Sequence, residues 1–410
     1  MLSVAHAPVI AATLPVVGEH LDAITGTFYD TMLADHPELL NVFSRSAQAT
    51  GAQRSALAAS IAAFATHLIG QDGPDAPPFD LIVDRIAHRH AALGIRPEQY
   101  TLVGRYLMDA IGAVLGAAVT PEIAAAWDEV YWLFAVRLVG AEARLYATAG
   151  VTADQPWRPF TVVARRQEAQ DTVSLVLAPA DGMAVPTFLP GQYVSVLVPL
   201  RDGGQQMRQY SLSQASSSGA LRITIRRVRG RGGAPDGLVS SHLHDHVRVG
   251  DQLTLSAPYG DLTLAAGTHP LVLISAGVGI TPMAAILEHV ARTQPQREVT
   301  AAHAESSPLR HPLQGDISSS GARLRTFRHL VWYEQPQGGG PAGAEVRAGL
   351  IEPDAIPLPS DAEAYLCGPL PFMRMVRSEL RRRGLPSERI RYEVFGSDQW
   401  TASRSLSGHA

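Results

Sequence analysis

The stretch Leu273-Ile274-Ser275-Ala276-Gly277-Val278-Gly279-Ile280-Thr281-Pro282-Met283 joins an apolar run to two glycines, a threonine and a proline. Such a run predicts a buried strand that stops at a glycine turn and restarts as a helix. The glycines let a ligand come close to the backbone. Thr281 suits a helix cap and Pro282 a first helical position. The unpaired N–H groups of that helix start suit a pyrophosphate. A single Gly-x-Gly is equally compatible with a structural turn. A second buried run, Tyr365-Leu366-Cys367-Gly368-Pro369, stops in the same manner, and ligands of open α/β sheets sit outside the carboxyl ends of strands. Upstream lie Pro190-Gly191-Gln192-Tyr193 and Arg208-Gln209-Tyr210-Ser211, an arginine able to grip phosphate and tyrosines able to lie on an aromatic ring. Gly237-Leu238-Val239-Ser240 opens a short helix, another phosphate-sized site.

The first third carries a different constellation. His90 falls on an apolar stripe with Ile86 and Leu93, where an unpaired imidazole would be costly. Alone it reads as a hydrogen-bonded core residue more often than as a ligand. Tyr100 and Glu142 change the reading, because a metal-ligating histidine usually gives its other N–H to an acceptor such as a carboxylate.

Composition removes other chemistries. All 34 basic residues are arginine and the only cysteine is Cys367. Schiff-base lysines, standard P-loops, disulfides, iron–sulfur clusters held by this chain alone, multi-cysteine zinc sites and Cys-x-x-Cys-His haem attachment are all excluded. The net charge of −4 gives no electrostatic reason to expect nucleic acid. The start, Met1 to Leu14, lacks the flank and core of a signal peptide, and the uncharged stretch Leu262–Leu287 is broken by Gly and Pro. These features predict a cytoplasmic protein without stable membrane insertion; nothing demands more than a monomer.

The elements that must hold these residues follow from periodicity. Leu14, Val17, Leu21, Ile24, Phe28 and Met32 make one helical stripe. Further helices run through Ile82–Leu93, from Pro97 onward, and over roughly Ile123–Tyr146. Thr148–Pro159 reads as a linker. Period-two alternation then takes over at Val173/Leu175/Leu177, Val194/Val196/Val198, Leu221/Ile223/Ile225 and Leu253/Leu255. From Pro270, apolar runs alternate with helices, with Gln335–Gly349 as a loose loop and Ser397–Ala410 as a polar tail. The fold class is multidomain: an all-α domain (1–149), an antiparallel β-barrel (157–264) and an α/β open sheet (269–400).

From Phe160 to Gly396 the ordered set Arg-x-Tyr-Ser, Gly-x-Gly-x-Thr-Pro, Cys-Gly-Pro and Glu393-Val394-Phe395-Gly396 resembles the ferredoxin–NADP reductase superfamily. That resemblance implies FAD held by Arg208, Gln209, Tyr210, Ser211, Val239 and Ser240, with Tyr193 near its adenine end and Glu393 and Phe395 beside the flavin. It assigns the nicotinamide nucleotide to Gly277, Val278, Gly279, Ile280, Thr281 and Pro282 and to Cys367, Gly368 and Pro369. Phe28-Tyr29-Asp30, Pro37-Glu38-Leu39, Phe43, Gln53-Arg54, Ile86–His90 and Ile95–Tyr100 resemble the globin domain of bacterial flavohaemoglobins, and with the reductase the likeness runs from Leu14 to Gly396. It implies a non-covalent haem b ligated by His90, with Tyr29 and Gln53 on the opposite face, Phe43 and Leu57 lining the pocket, and Tyr100 and Glu142 behind His90. Arg89 replaces the family's frequent lysine near the flavin edge.

Electron counting then orders the cofactors. NADH or NADPH gives a hydride, a flavin can split the pair, and haem iron takes single electrons. The resemblance implies a nitric oxide dioxygenase acting on dioxygen and nitric oxide. The alternatives are a haem-based sensor and a diaphorase or ferric reductase. Arg310, after the second α/β strand, reads either as a 2′-phosphate contact or as a surface arginine.

Overall fold

Helices occupy the chain up to Ala149 and strands dominate after it, in a computed structural model that describes residues 1–41, 52–72, 78–200, 203–216, 219–230 and 235–395. Two compact units emerge: Met1–Pro156 with Pro199–Met207, and Trp157–Val198 with Arg208–Phe395.

In the first unit, α1 (Ala7–Asp35), α2 (Ala52–Leu68), α3 (Phe79–Leu93), α4 (Pro97–Leu115) and α5 (Pro121–Ala149) enclose one apolar core. Ile10, Val17, Leu21, Ile24, Phe28 and Met32 of α1 are buried in it, so the predicted stripe is the core face. α1 and the stretch Pro97–Ala118 are long and apolar enough to cross a membrane by length and composition, but each puts core residues into this helical unit. Helix boundaries follow local chemistry. The Gln99 side-chain oxygen accepts the Arg96 N–H at 2.8 Å at the start of α4, where Pro97 takes the first position. Thr120 accepts the Ile123 N–H at 3.3 Å to open α5. Gly94 and Gly150, with φ of 71° and 68°, close α3 and α5 in the left-handed conformation. The α5 boundaries extend the expected helix by a turn at its end, which shortens the expected linker.

The strands after Pro156 form two sheets. β1 (Trp157–Ala169), β2 (Thr172–Pro179), β3 (Tyr193–Pro199), β4 (Gln205–Ser211), β5 (Leu221–Arg226) and β6 (Gln252–Ser256) are ordered β4-β3-β6-β1-β2-β5. The alternating residues named above all point into its core. The short helix α6 (Leu238–Asp245) follows β5.

The last sheet holds β7 (Leu271–Ala276), β8 (Val299–Glu305), β9 (Phe327–Tyr333), β10 (Glu345–Ala348), β11 (Glu363–Cys367) and β12 (Ile390–Glu393). Its order is β10-β9-β8-β7-β11-β12, with every pairing parallel. Helices α7 (Ile280–Thr293), α8 (Gln314–Gly321) and α9 (Leu370–Arg382) connect the strands. Chain progression reverses between β7 and β11, which makes their carboxyl ends the switch-point crevice. One expectation is corrected: part of Gln335–Gly349 is strand, since β10 adds to the edge of β9. Its exposed side chains erase any alternation that the sequence could have shown.

Behind the crevice lie three buried histidines. His303 donates to or accepts from Ser275 Oγ at 2.9 Å, stacks on His311 at 4.3 Å, and His311 meets the Tyr333 hydroxyl at 2.7 Å. Burial holds His303 well below the usual histidine range, His311 at about 3 and His329 at about 4. The folded unit therefore binds fewer protons than the unfolded chain between those values and about 6.5, so its stability rises with pH across that window. Lowering the pH from 7.5 to 5.5 should cost on the order of 1 kcal/mol per histidine. Thermal melting should show that drop, and His329→Gln should make it shallower. An unchanged slope would acquit the histidines.

Candidate functional site

His90 sits in the last turn of α3, and Tyr100 in the first turn of α4, with only the Gly94 turn between the helices. Glu142 comes from the middle of α5, buried to 2% exposure. Its Oε1 accepts from the Tyr100 hydroxyl at 2.5 Å and from His90 Nδ1 at 2.8 Å, while His90 Nδ1 and the Tyr100 oxygen are 2.8 Å apart. An ionised carboxylate can only accept, so the proton belongs on Nδ1 and the lone pair on Nε2. Burial, then the Glu142 charge, pushes the Tyr100 phenol well above its ordinary value and keeps it a donor. Tyr131 donates to the Tyr100 carbonyl at 2.5 Å and Tyr146 to the Ile95 carbonyl at 2.8 Å, pinning the α3–α4 corner.

His90 itself is 31% exposed, and its Nε2 has no hydrogen-bond partner among the described residues. A half-exposed imidazole with an oriented free lone pair, on a stripe of aliphatic residues, has the donor chemistry that a haem iron needs. Tyr29 is buried on α1 with its ring edge-on to Phe28 at 4.8 Å. Leu57, on α2, packs partly buried against the same core, and Arg89 is half-buried on α3. His88 is half-buried as well. Phe43 lies outside the described residues, as does the side chain of Gln53, whose backbone belongs to α2.

In the second unit the two predicted turns meet. Ser275, Cys367 and Glu393 are in register at the ends of β7, β11 and β12. A Cβ on Gly279 would lie 2.2 Å from the Cys367 carbonyl oxygen, and one on Gly368 would lie 3.1 Å from the Ala276 Cβ. Gly277 adopts φ +58°, a conformation that side chains disfavour. The turns thus touch through backbone, and an open N-terminus of α7 faces the crevice. The capping expectation is corrected: α7 starts at Ile280, with Pro282 third, and the Thr281 hydroxyl donates to the Val278 carbonyl at 3.0 Å instead of accepting from the helix. Burial, followed by the Glu393 charge, pushes the Cys367 thiol well up, so it is not a nucleophile at neutral pH.

On the barrel, Tyr193 is buried, bridged to Tyr259, and its ring would crowd any Cβ on Gly260. Arg208, Gln209 and Tyr210 are half-buried on β4, and Ser211 is buried with an unpartnered Oγ. Burial lowers the Arg208 pKa and raises that of Tyr210. Holding a desolvated cation there suits an anionic ligand. Val239 is buried and Ser240 spends its hydroxyl locally, accepting from Val228 N–H and donating to the Gly237 carbonyl, both at 3.1 Å. Glu393 is buried and Phe395 exposed.

Sequence reasoning missed Arg226, the last residue of β5. It pairs with Glu305, lies 3.5 Å from Asp171 and donates to the Arg310 carbonyl at 2.8 Å. Its Nη1 lies 2.9 Å from where a Gly277 Cβ would be, directly at the glycine turn. Arg226 belongs to a run of alternating arginines, so no local signal separates it from surface charge. Arg310 ion-pairs with Asp171 at 2.5 Å.

Residues 26–137 match the Globin family, 159–264 the Oxidoreductase FAD-binding domain and 273–378 the Oxidoreductase NAD-binding domain. The chain is 40% identical to a flavohemoprotein of Rhizobium meliloti (strain 1021) and 41% identical to one of Bordetella pertussis, in each case over 97% of this chain and 99% of the relative. A crystal structure of flavohemoglobin from Malassezia yamatoensis with bound FAD and heme superposes with a TM-score of 0.85 at 37% identity, covering 96% of this chain and all of that one. The FAD/NAD-binding domain of nitric oxide dioxygenase from Vibrio cholerae covers 58% of this chain and 98% of its own, at 38% identity and a TM-score of 0.53.

The turn-to-turn contact yields a direct test. Gly279→Ala must displace backbone at Cys367, and the rate of flavin reduction by NADH should fall at least tenfold with bound flavin retained. A near-normal rate would refute the close approach.

Proposed function

The chain belongs to the flavohaemoprotein family, and from that premise we propose how its residues serve an NAD(P)H-dependent nitric oxide dioxygenase. When bound, the nicotinamide would supply hydride chemistry, FAD the splitting of the electron pair, and haem the single-electron chemistry by which dioxygen and nitric oxide give nitrate. The observation that carries the assignment is the hydrogen-bonded trio of His90, Tyr100 and Glu142, which commits Nδ1 and leaves Nε2 for iron.

In this reading His90 Nε2 would hold the haem iron. Glu142 makes the imidazole a stronger donor, and Tyr100 fixes the carboxylate's direction. A stronger donor favours oxygen activation over storage. Tyr29 would donate a hydrogen bond to dioxygen in the haem pocket, a role that the family resemblance extends to Gln53, and the same resemblance assigns Phe43 and Leu57 to the pocket lining. Arg89 would keep a positive charge on α3 next to His90, where the family often has lysine.

Arg208 and Gln209 would hold the FAD phosphates, Ser211 would offer its buried hydroxyl, and Val239 and Ser240 would present the start of α6. Tyr210 would serve the flavin and Tyr193 the adenine end, with Glu393 and Phe395 beside the flavin. Gly277 to Pro282 and Cys367 to Pro369 bound the nicotinamide crevice, with Arg226 adding a donor at its floor. Arg310, tied to Asp171, reads as structural rather than as a 2′-phosphate contact. The reading includes three segments, 1–149, 157–264 and 269–400, and a cytoplasmic location, where reduced nicotinamide is supplied.

Two substitutions separate the roles. Tyr29→Phe should cut nitric oxide consumption at least tenfold and speed oxygen release, with flavin reduction by NADH unchanged. Unaltered turnover would remove Tyr29 from the site. His90→Ala should lose haem, seen as loss of the Soret band, while NADH-dependent reduction of an artificial acceptor continues. Normally ligated haem in that variant would sink the axial assignment.

A further inference from the structure

We propose that His242 and His246 form a chelating site for a divalent metal of the zinc type on α6. The two residues are four apart, and the His246 N–H bonds the His242 carbonyl at 2.9 Å, so the helical spacing persists through the cap. Their ring centroids are 5.3 Å apart at an interplanar angle of 64°. Zinc–nitrogen bonds of about 2.0–2.1 Å place two imidazole centroids roughly 5–6 Å apart around one metal, a separation these two rings already have.

The neighbouring histidine behaves differently. His244 is spent on the Ile225 carbonyl at 2.9 Å, and Asp245 on Arg227. Neither His242 nor His246 has a side-chain hydrogen bond among the described residues, and both keep solvent contact. The site lies at the carboxyl end of α6, where the helix dipole favours a cation. Imidazole donors select zinc, nickel or copper over magnesium or calcium. Two protein ligands leave two positions for water, and no group of three or more metal-ligating side chains occurs among the described residues.

Titration of tag-free holoprotein with zinc chloride by calorimetry tests the site. One saturable equivalent is expected, with affinity falling at least tenfold in His242→Gln and in His246→Gln. His289→Gln, on α7, should bind as the parent does. Unchanged binding in either α6 variant, equal loss in His289→Gln, or no saturable uptake would each overturn the proposal. On the reading that the start of α6 faces the FAD phosphates, zinc should also slow FAD release from the parent and not from His242→Gln. Equal release rates would overturn that link to the flavin and leave the titration to judge the site.

Discussion

Burying the Glu142 carboxylate is costly unless donors meet it, and that requirement organises the polar centre of the helical unit. One oxygen takes both donors, the Tyr100 hydroxyl and His90 Nδ1. Removing one partner of such a buried group typically costs about 3–5 kcal/mol, so the trio stands or falls together. The α3–α4 corner, closed by Gly94 and pinned by Tyr131 and Tyr146, exists in the geometry that brings Tyr100 within reach. His90 Nε2 is aimed as a consequence. A histidine free to rotate would present either nitrogen, and a proton on the wrong one would remove the ligand.

The reductase unit solves its positioning problem with absence rather than with charge. At the switch point between β7 and β11, backbone meets backbone because Gly279 and Gly368 carry no side chain. The phosphate cradle then needs few charged groups of its own. Arg226 is the exception, and its cost is spread over Asp171 and Glu305, so that the cluster is close to neutral before any ligand arrives. The lack of lysine is felt here. A guanidinium can reach two carboxylates and a carbonyl at once and still offer an edge to the glycine turn, which a single ammonium could not do.

Much of this was legible before any coordinates. The α1 stripe, the first-position Pro97, the period-two strands and the two glycine-ended strands all appear where local pattern places them, because each is dictated by residues a few positions apart. Helix α2 and strand β10 were not. The alanine-rich α2 lacks a clear stripe, and β10 is an exposed edge strand within a glycine- and proline-rich stretch. Thr281 looked like a cap and proved to be a donor inside the first turn, since the strand-to-helix junction starts two residues earlier than the cap rule suggests.

The amino-acid sequence by itself determined which chemistries are possible: one histidine with candidate partners, no lysine, a single cysteine, and two strands that end in glycine. It also determined the order of the three segments. Only the tertiary structure decided that Glu142 reaches His90 across 52 positions, that Cys367 touches Gly279, and that Arg226 reaches the Gly277 turn. The reason is physical. Periodicity and capping report interactions within one turn or one strand. Hydrogen bonds and close backbone contacts between distant segments depend on how whole helices and sheets pack, and that packing is set by burial summed over many residues.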